Sequence, residues 1–192
     1  MPALRFEEVK DQKQALMLVA QMIRKGSVNP QIIRAARAIT INCEPRDELA
    51  ELRAIYQAVK TGDESVEWLA YGMRYVSDPH PWDTFSEASA IVEDCKAGAC
   101  AGDCDDSSIL IGSLACALGF PTGVRAWGPG SRGDYQHVYC VAATPKSGPW
   151  PRDYYGHGLD TTVPRFRMGQ EPGEGPIGKG PAFGHFMTAW VY

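Results

Sequence analysis

Residues Ala101 to Pro121 read AGDCDDSSILIGSLACALGFP. From Asp105 to Leu118 the positions Ile109, Leu110, Ser113, Leu114 and Ala117 recur at helical spacing and form one stripe. Gly119 then supplies a left-handed C-terminal cap, and Pro121 cannot continue the helix. This helix opens directly after Gly102-Asp103, so Cys104 falls in its first turn. Unsatisfied N–H groups and the positive end of the helix dipole favour a thiolate there. The carboxylates of Asp103, Asp105 and Asp106 oppose it, unless Asp103 or Asp105 caps helix amides and turns its charge away from the sulfur.

Upstream of this helix the chain reads helical. Asp11–Lys25 places Leu16, Val19, Ala20 and Ile23 on one face, and Gly26-Ser27 ends it. Asn29-Pro30 opens a second helix through Ile32, Ile33, Ala36 and Ile39. A third spans Arg46–Lys60 with Leu49, Leu52, Ile55, Tyr56 and Val59 inward, and Thr61-Gly62 breaks it. The same period predicts a fourth over Glu64–Val76, burying Val66, Leu69, Met73 and Val76. The prolines in Asp78-Pro79-His80-Pro81-Trp82 exclude helix, and a short helix follows at Ser86–Asp94.

Downstream of Gly119 the pattern changes to strands. Thr122–Trp127, Tyr135–Ala143, Gly158–Val163 and Phe186–Tyr192 are β-rich runs between Gly, Pro, Ser and Asp clusters. Residues 164–185 are rich in Gly and Pro and read as a long loop. Helices first and an antiparallel sheet afterwards make the chain α+β. It divides on this reading into a helical extension, 1–62, and a domain, 63–192.

Two further residues complete a chemical pattern. Alternation puts His137, Tyr139 and Val141 on one face of their strand and Val138, Cys140 and Ala142 on the other. A histidine on a strand packed against a helix N-terminus is well placed to serve a cysteine there as base. Asp160, on the next expected strand, can accept the second ring N–H and fix the tautomer.

Gly102-Asp103-Cys104-Asp105-Asp106 at a helix that ends Leu118-Gly119-Phe120-Pro121, then Gln136-His137-Val138-Tyr139, then Leu159-Asp160-Thr161, resembles the transglutaminase-like superfamily of papain-type cysteine enzymes. More narrowly, the set is similar to the stand-alone transglutaminase-like proteins of Mu-like phages and prophages, whose lead-in segment is matched by Arg74-Tyr75-Val76-Ser77-Asp78-Pro79. The match covers about residues 30 to 164. Ser107 stands where that family often has histidine, and Thr161 where it usually has proline. The resemblance implies a nucleophile helix packed on a small antiparallel sheet, with Cys104 as nucleophile, His137 as general base and Asp160 as orienting acid. It implies acyl transfer from amides to water or to an amine, without a cofactor. The substrates it implies are proteins or peptides, peptidoglycan stem peptides among them, and phage structural proteins are the implied partners. A non-catalytic virion or tail-assembly component keeping the same fold is the alternative.

The remaining candidates are weaker. Trp82, Asp103, Asp105, Tyr155 and His157 are pocket or oxyanion-site candidates, and His157 is a rival base set between glycines on a mobile rim. Cys95, Cys100 and Cys104 form a C-x4-C-x3-C run that fits neither zinc knuckles nor iron–sulfur spacing, so no metal is expected. A disulfide from Cys100 to Cys95 or Cys104 is open, although six cysteines in a chain lacking a secretory leader read chiefly as thiols. Cys43, Cys116 and Cys140 read as core. A net charge of −4 and a pI near 5.6 argue against nucleic acid as partner. No run of 18 apolar residues offers a membrane span. The host-cell cytoplasm or the virion is the expected location.

Overall fold

The computed structural model describes residues 12–77, 84–129, 135–145, 154–172 and 185–191. Within them the chain runs through helices α1 (Gln12–Ser27), α2 (Pro30–Thr40) and α3 (Glu48–Thr61), then strand β1 (Arg74–Tyr75) and helix α4 (Ala88–Lys96). Strand β2 (Ala101–Gly102) and helix α5 (Cys104–Ala117) follow. Strands β3 (Thr122–Gly128), β4 (His137–Pro145), β5 (Tyr154–Leu159) and β6 (His185–Trp190) complete the order. The architecture is α+β. The four long strands form one antiparallel sheet in the order β5-β4-β3-β6, and β1 pairs β2 in parallel as a separate two-stranded sheet.

Helix α5 is the axis of the molecule. Asp105 through Ala115 are all buried, because α1, α2, α3 and α4 surround it and β4 lies against its remaining side. A helix buried all round needs more than one apolar stripe. Its serines therefore find partners inside: Ser108 Oγ donates to the Cys104 carbonyl at 2.6 Å, and Ser113 Oγ donates to the Ile23 carbonyl at 3.3 Å. The approach of α1 is close. A Cβ at Gly112 would stand 2.7 Å from Ile23 Cδ1, and one at Gly26 would stand 2.2 Å from Ser113 Oγ. Residues of α1, α2 and α3 share one apolar cluster with α4, α5 and the sheet, from Leu16 to Leu159.

Helix capping follows the sequence closely. Asn29 Oδ1 accepts from the Gln31 N–H at 2.8 Å with Pro30 in the first turn of α2, and Asp47 caps α3 through the Ala50 N–H at 2.9 Å. The helix expected over Glu64–Val76 does not form. Asp63 accepts the Ser65 N–H at 2.8 Å, a local turn that competes with helix, and only one 3-10 turn, Glu67–Leu69, survives. Gly72, at φ 71°, then swings the chain into β1. Val66 and Leu69 are buried as expected, but Val76 is 47% exposed, as is Leu49 at 40% on α3.

The strands also shift against expectation. The strand read at Gly158–Val163 is β5, ending at Leu159, so Asp160 lies just beyond it. The segment from 164 to 172 is not free: Arg125 Nη1 holds Glu171 Oε1 at 2.6 Å, and the Gly169 N–H donates to the Gly158 carbonyl at 2.8 Å. Residues 173–184 of the Gly/Pro-rich run lie outside the described residues. No helix among the described residues is long and apolar enough to cross a membrane.

Candidate functional site

Asp103 is the N-cap of α5. Its Oδ1 accepts the N–H groups of Asp105 at 3.1 Å and Asp106 at 3.5 Å, and this capping starts the helix at Cys104. Gly102 lets β2 pass close to the helix head, since a Cβ there would meet Met73 Cε at 2.4 Å and Asp106 Cβ at 2.6 Å. Asp106 Oδ1 accepts the Ser86 N–H at 2.9 Å and ties in the chain that enters α4.

Cys104 is half-buried beneath β4. Burial pushes its thiol up, and the charges of Asp103 and then Asp105 push in the same direction. Hydrogen bonds from the N–H groups of Val138 and Cys104 pull the other way and do not prevail, so the thiol stands at about 12. Asp105, also buried, is held well above the ordinary carboxylate range by burial and by its hydrogen bond with Asp103. Asp105 therefore keeps its proton at neutral pH, which leaves burial and Asp103 as the chief forces on the sulfur. Burial and the Asp103 charge thus outweigh the hydrogen bonds that the sulfur receives at the helix head.

His137 is the first residue of β4, and its Nε2 lies 2.8 Å from Asp160 Oδ2. Asp160 is 1% exposed, and its Oδ1 accepts from the Thr162 N–H at 3.1 Å and from Thr162 Oγ1 at 2.8 Å. Burial raises its carboxyl, but the hydrogen bond and charge of His137 and the two donors of Thr162 outweigh it and hold Asp160 below the usual range. The Tyr139 ring stacks near His137, with centroids 6.0 Å apart and planes at 22°. His137 and Asp160 are thus joined directly. Cys104 meets the same strand one residue further along, through the Val138 N–H.

A cavity of about 310 Å³ opens beside this group, lined by Met73, Tyr75, Gly102, Ser107, Thr161 and Thr162 among others. Ser107 Oγ and Thr161 Oγ1 are hydrogen-bonded to each other on its wall.

Other candidates fall elsewhere. His157 is not a rim residue: it lies on β5 opposite Ala142, its Nε2 3.0 Å from Thr144 Oγ1, and burial lowers its affinity for a proton. Tyr155 of β5 pairs with Thr144 of β4, its side chain outside the described residues, as is all of Trp82. Cys95 and Cys100 form a disulfide, against the expectation of free thiols, and neither sulfur is left for the set Cys95, Cys100 and Cys104 to ligate a metal. The loop between them turns at Gly98, where φ is 82°. The carboxylates of Asp103, Asp105 and Asp106 can each bring an oxygen within 4.8 Å of the others. Their setting opposes a cation, because two of them already accept backbone N–H groups at the positive end of α5.

No family model and no curated protein matches the chain. Among solved structures it is similar in part to a crystal structure of a "putative protease" from Parabacteroides distasonis. The TM-score is 0.47 and the identity 13%, over 72% of this chain and 25% of that one. The chain spans about a quarter of that protein's length.

Two residues of α3 join the group from outside the sequence pattern. Helical spacing places Tyr56 on the inner face of α3 and Lys60 at its end, yet both reach the segment that follows Asp160. A phenol on an otherwise apolar face was the one signal available, because a buried O–H needs a partner.

Proposed function

We propose that the chain is a thiol-dependent acyl hydrolase or acyltransferase acting on amide bonds, with Cys104 as nucleophile, His137 as base and Asp160 as the residue that orients it. The observation that carries this reading is the 2.8 Å contact between His137 Nε2 and Asp160 Oδ2, made from the strand whose Val138 N–H reaches the thiol of Cys104 at the head of α5. With Nε2–H donated to Asp160, Nδ1 is the ring nitrogen left to accept the thiol proton.

The height of the thiol pKa decides how the step runs. Cys104 remains S–H until attack, so its proton passes to His137 Nδ1 as the sulfur bonds to the amide carbonyl carbon. The buried carboxylate of Asp160 stabilises the imidazolium that results. The carbonyl oxygen takes the negative charge, for which backbone N–H groups at the head of α5, that of Cys104 among them, are the proposed donors. Collapse breaks the C–N bond, and His137 returns the proton to the departing amine. A thioester remains on Cys104. Water then releases an acid, or a second amine takes the acyl group, with His137 accepting the proton of the incoming nucleophile and the thiol restored. By the resemblance of its motifs alone, the proposal extends to a phage-encoded protein acting on protein or peptidoglycan stem-peptide amides.

The test is intact-mass spectrometry after incubation with a peptidyl electrophile such as a chloromethyl ketone. A single adduct on Cys104, absent from Cys104→Ala and slowed at least about a hundredfold in His137→Ala, is the expected result. An adduct rate unchanged in His137→Ala would sink the enzyme reading and favour the non-catalytic assembly component.

A further inference from the structure

Helix α3 carries a polar clamp that grips the chain just after Asp160. Tyr56 Oη lies 2.8 Å from the Phe166 carbonyl and 3.1 Å from the Asp160 carbonyl, and the one phenolic proton is shared between them. Lys60, one turn on, donates to Tyr56 Oη at 2.9 Å, to the Val163 carbonyl at 3.0 Å and to the Phe166 carbonyl. An ammonium has three donors, and these three acceptors use them all. No donor is left for a ligand, although Lys60 also borders the cavity beside the site.

The protonation states suit a permanent clamp. Burial and then the nearby Asp160 charge raise the Tyr56 phenol well above its ordinary range, so it stays an O–H donor. Burial draws Lys60 down while the Asp160 carboxylate draws it up, which places the ammonium within that carboxylate's field. Thr162 fixes the carboxylate from within the 160–166 turn, and the clamp fixes the turn on α3.

We infer that Tyr56 and Lys60 are positioning residues for the proposed reaction: by pinning the carbonyls of Asp160, Val163 and Phe166 to α3, they hold the Asp160 carboxylate where it fixes the ring of His137. This rests on the reading of Cys104, His137 and Asp160 given above. It also makes a helix read as part of an extension integral to the site.

The experiment reads the ring directly and needs no substrate. Two-dimensional ¹⁵N imidazole spectra of the full chain report the tautomer of His137, compared in wild type, Tyr56→Phe, Lys60→Met, Lys60→Gln and Asp160→Asn. Ile55→Val, which loosens the buried side of α3 without touching the turn, is the control. The expected result is a single Nε2–H tautomer in wild type and Ile55→Val, and a mixture of tautomers in Tyr56→Phe and Lys60→Met. Lys60→Gln, which keeps two N–H donors without the charge, falls between and covers the case in which Lys60→Met does not fold. The adduct rate of Cys104 with the peptidyl electrophile should fall about tenfold in step with the mixture. A fixed tautomer in both Tyr56→Phe and Lys60→Met, with Asp160→Asn alone disturbing it, would overturn the clamp and leave the proposed function standing. A wild-type ring with no fixed Nε2–H tautomer would overturn both.

Discussion

The thiol of Cys104 should not ionise in the neutral range. Its pKa rises from 9.0 to about 12, which corresponds to about 4 kcal/mol against the thiolate. At pH 8 about a tenth of an ordinary thiol is ionised, against roughly one part in ten thousand of Cys104. Thiolate absorbance in the far ultraviolet, taken as the difference between wild type and Cys104→Ser, measures this directly. The expected difference spectrum is flat through neutral pH and develops only in strongly alkaline solution. The sign for stability follows from the same shift. The folded protein keeps the thiol proton longer than the unfolded chain, so the contribution is complete below pH 9.0 and is lost as pH climbs toward about 12. Asp103→Asn separates the causes, because asparagine caps a helix about as well as aspartate but brings no charge. It should lower the thiol pKa by about one unit, raising the thiolate fraction about tenfold at fixed pH, while burial keeps the rest of the shift. A wild-type thiolate band that titrates at or below pH 7 would refute the reasoning. It would mean that a preformed ion pair with His137 overrides burial and Asp103 together.

Two further outcomes test the frame and the buried carboxylate. Gly112→Ala drives a Cβ to 2.7 Å from Ile23 Cδ1 at the α1–α5 crossing and should destabilise the fold by about 1–3 kcal/mol, read from denaturant midpoints. A neutral result would show that α1 is free to shift away from α5. Asp160 is held below the usual carboxylate range, so its contribution is present above about pH 4 and is lost as pH falls through the lower, folded value. Thermal unfolding should therefore show wild type losing stability faster than Asp160→Asn in acid below about pH 4, and parallel curves would count against an ionised, hydrogen-bonded carboxylate.

What the sequence made legible was local. Caps announced themselves through residue type alone: Asn29 before Pro30, and Asp47 and Asp103 before their helices. The order of four strands followed from turn residues and β-branched runs. The failures came where two local preferences competed. Val66, Leu69 and Met73 kept helical spacing, but an Asp63 turn and Gly72 held the backbone elsewhere, and pairing of Arg74 with Ala101 drew it into a strand. Helical spacing predicts α5, yet Ser107 and Ser108 lie outside its apolar stripe. Only the surrounding elements show that both are buried.

The site divides along the same line. Cys104 is readable because its setting, a helix head after Gly-Asp, is encoded within a few residues. The Cys95–Cys100 bond is less so, since its closure depends on where α4 ends and β2 begins. Least readable is the clamp, in which Tyr56 reaches carbonyls 104 and 110 residues further along the chain. No window of sequence contains both partners, and a lysine at the end of a helix fits a dipole role equally well. The His137–Asp160 contact is intermediate: 23 residues apart, it could be guessed from the residue types and their order. What holds it in place could not. The residues that name a chemistry are short-range signals, whereas those that hold it in register are long-range contacts made by ordinary scaffold positions. For this chain the second kind sits on α3, which is why the helices before residue 62 belong in any assay of the residues after it.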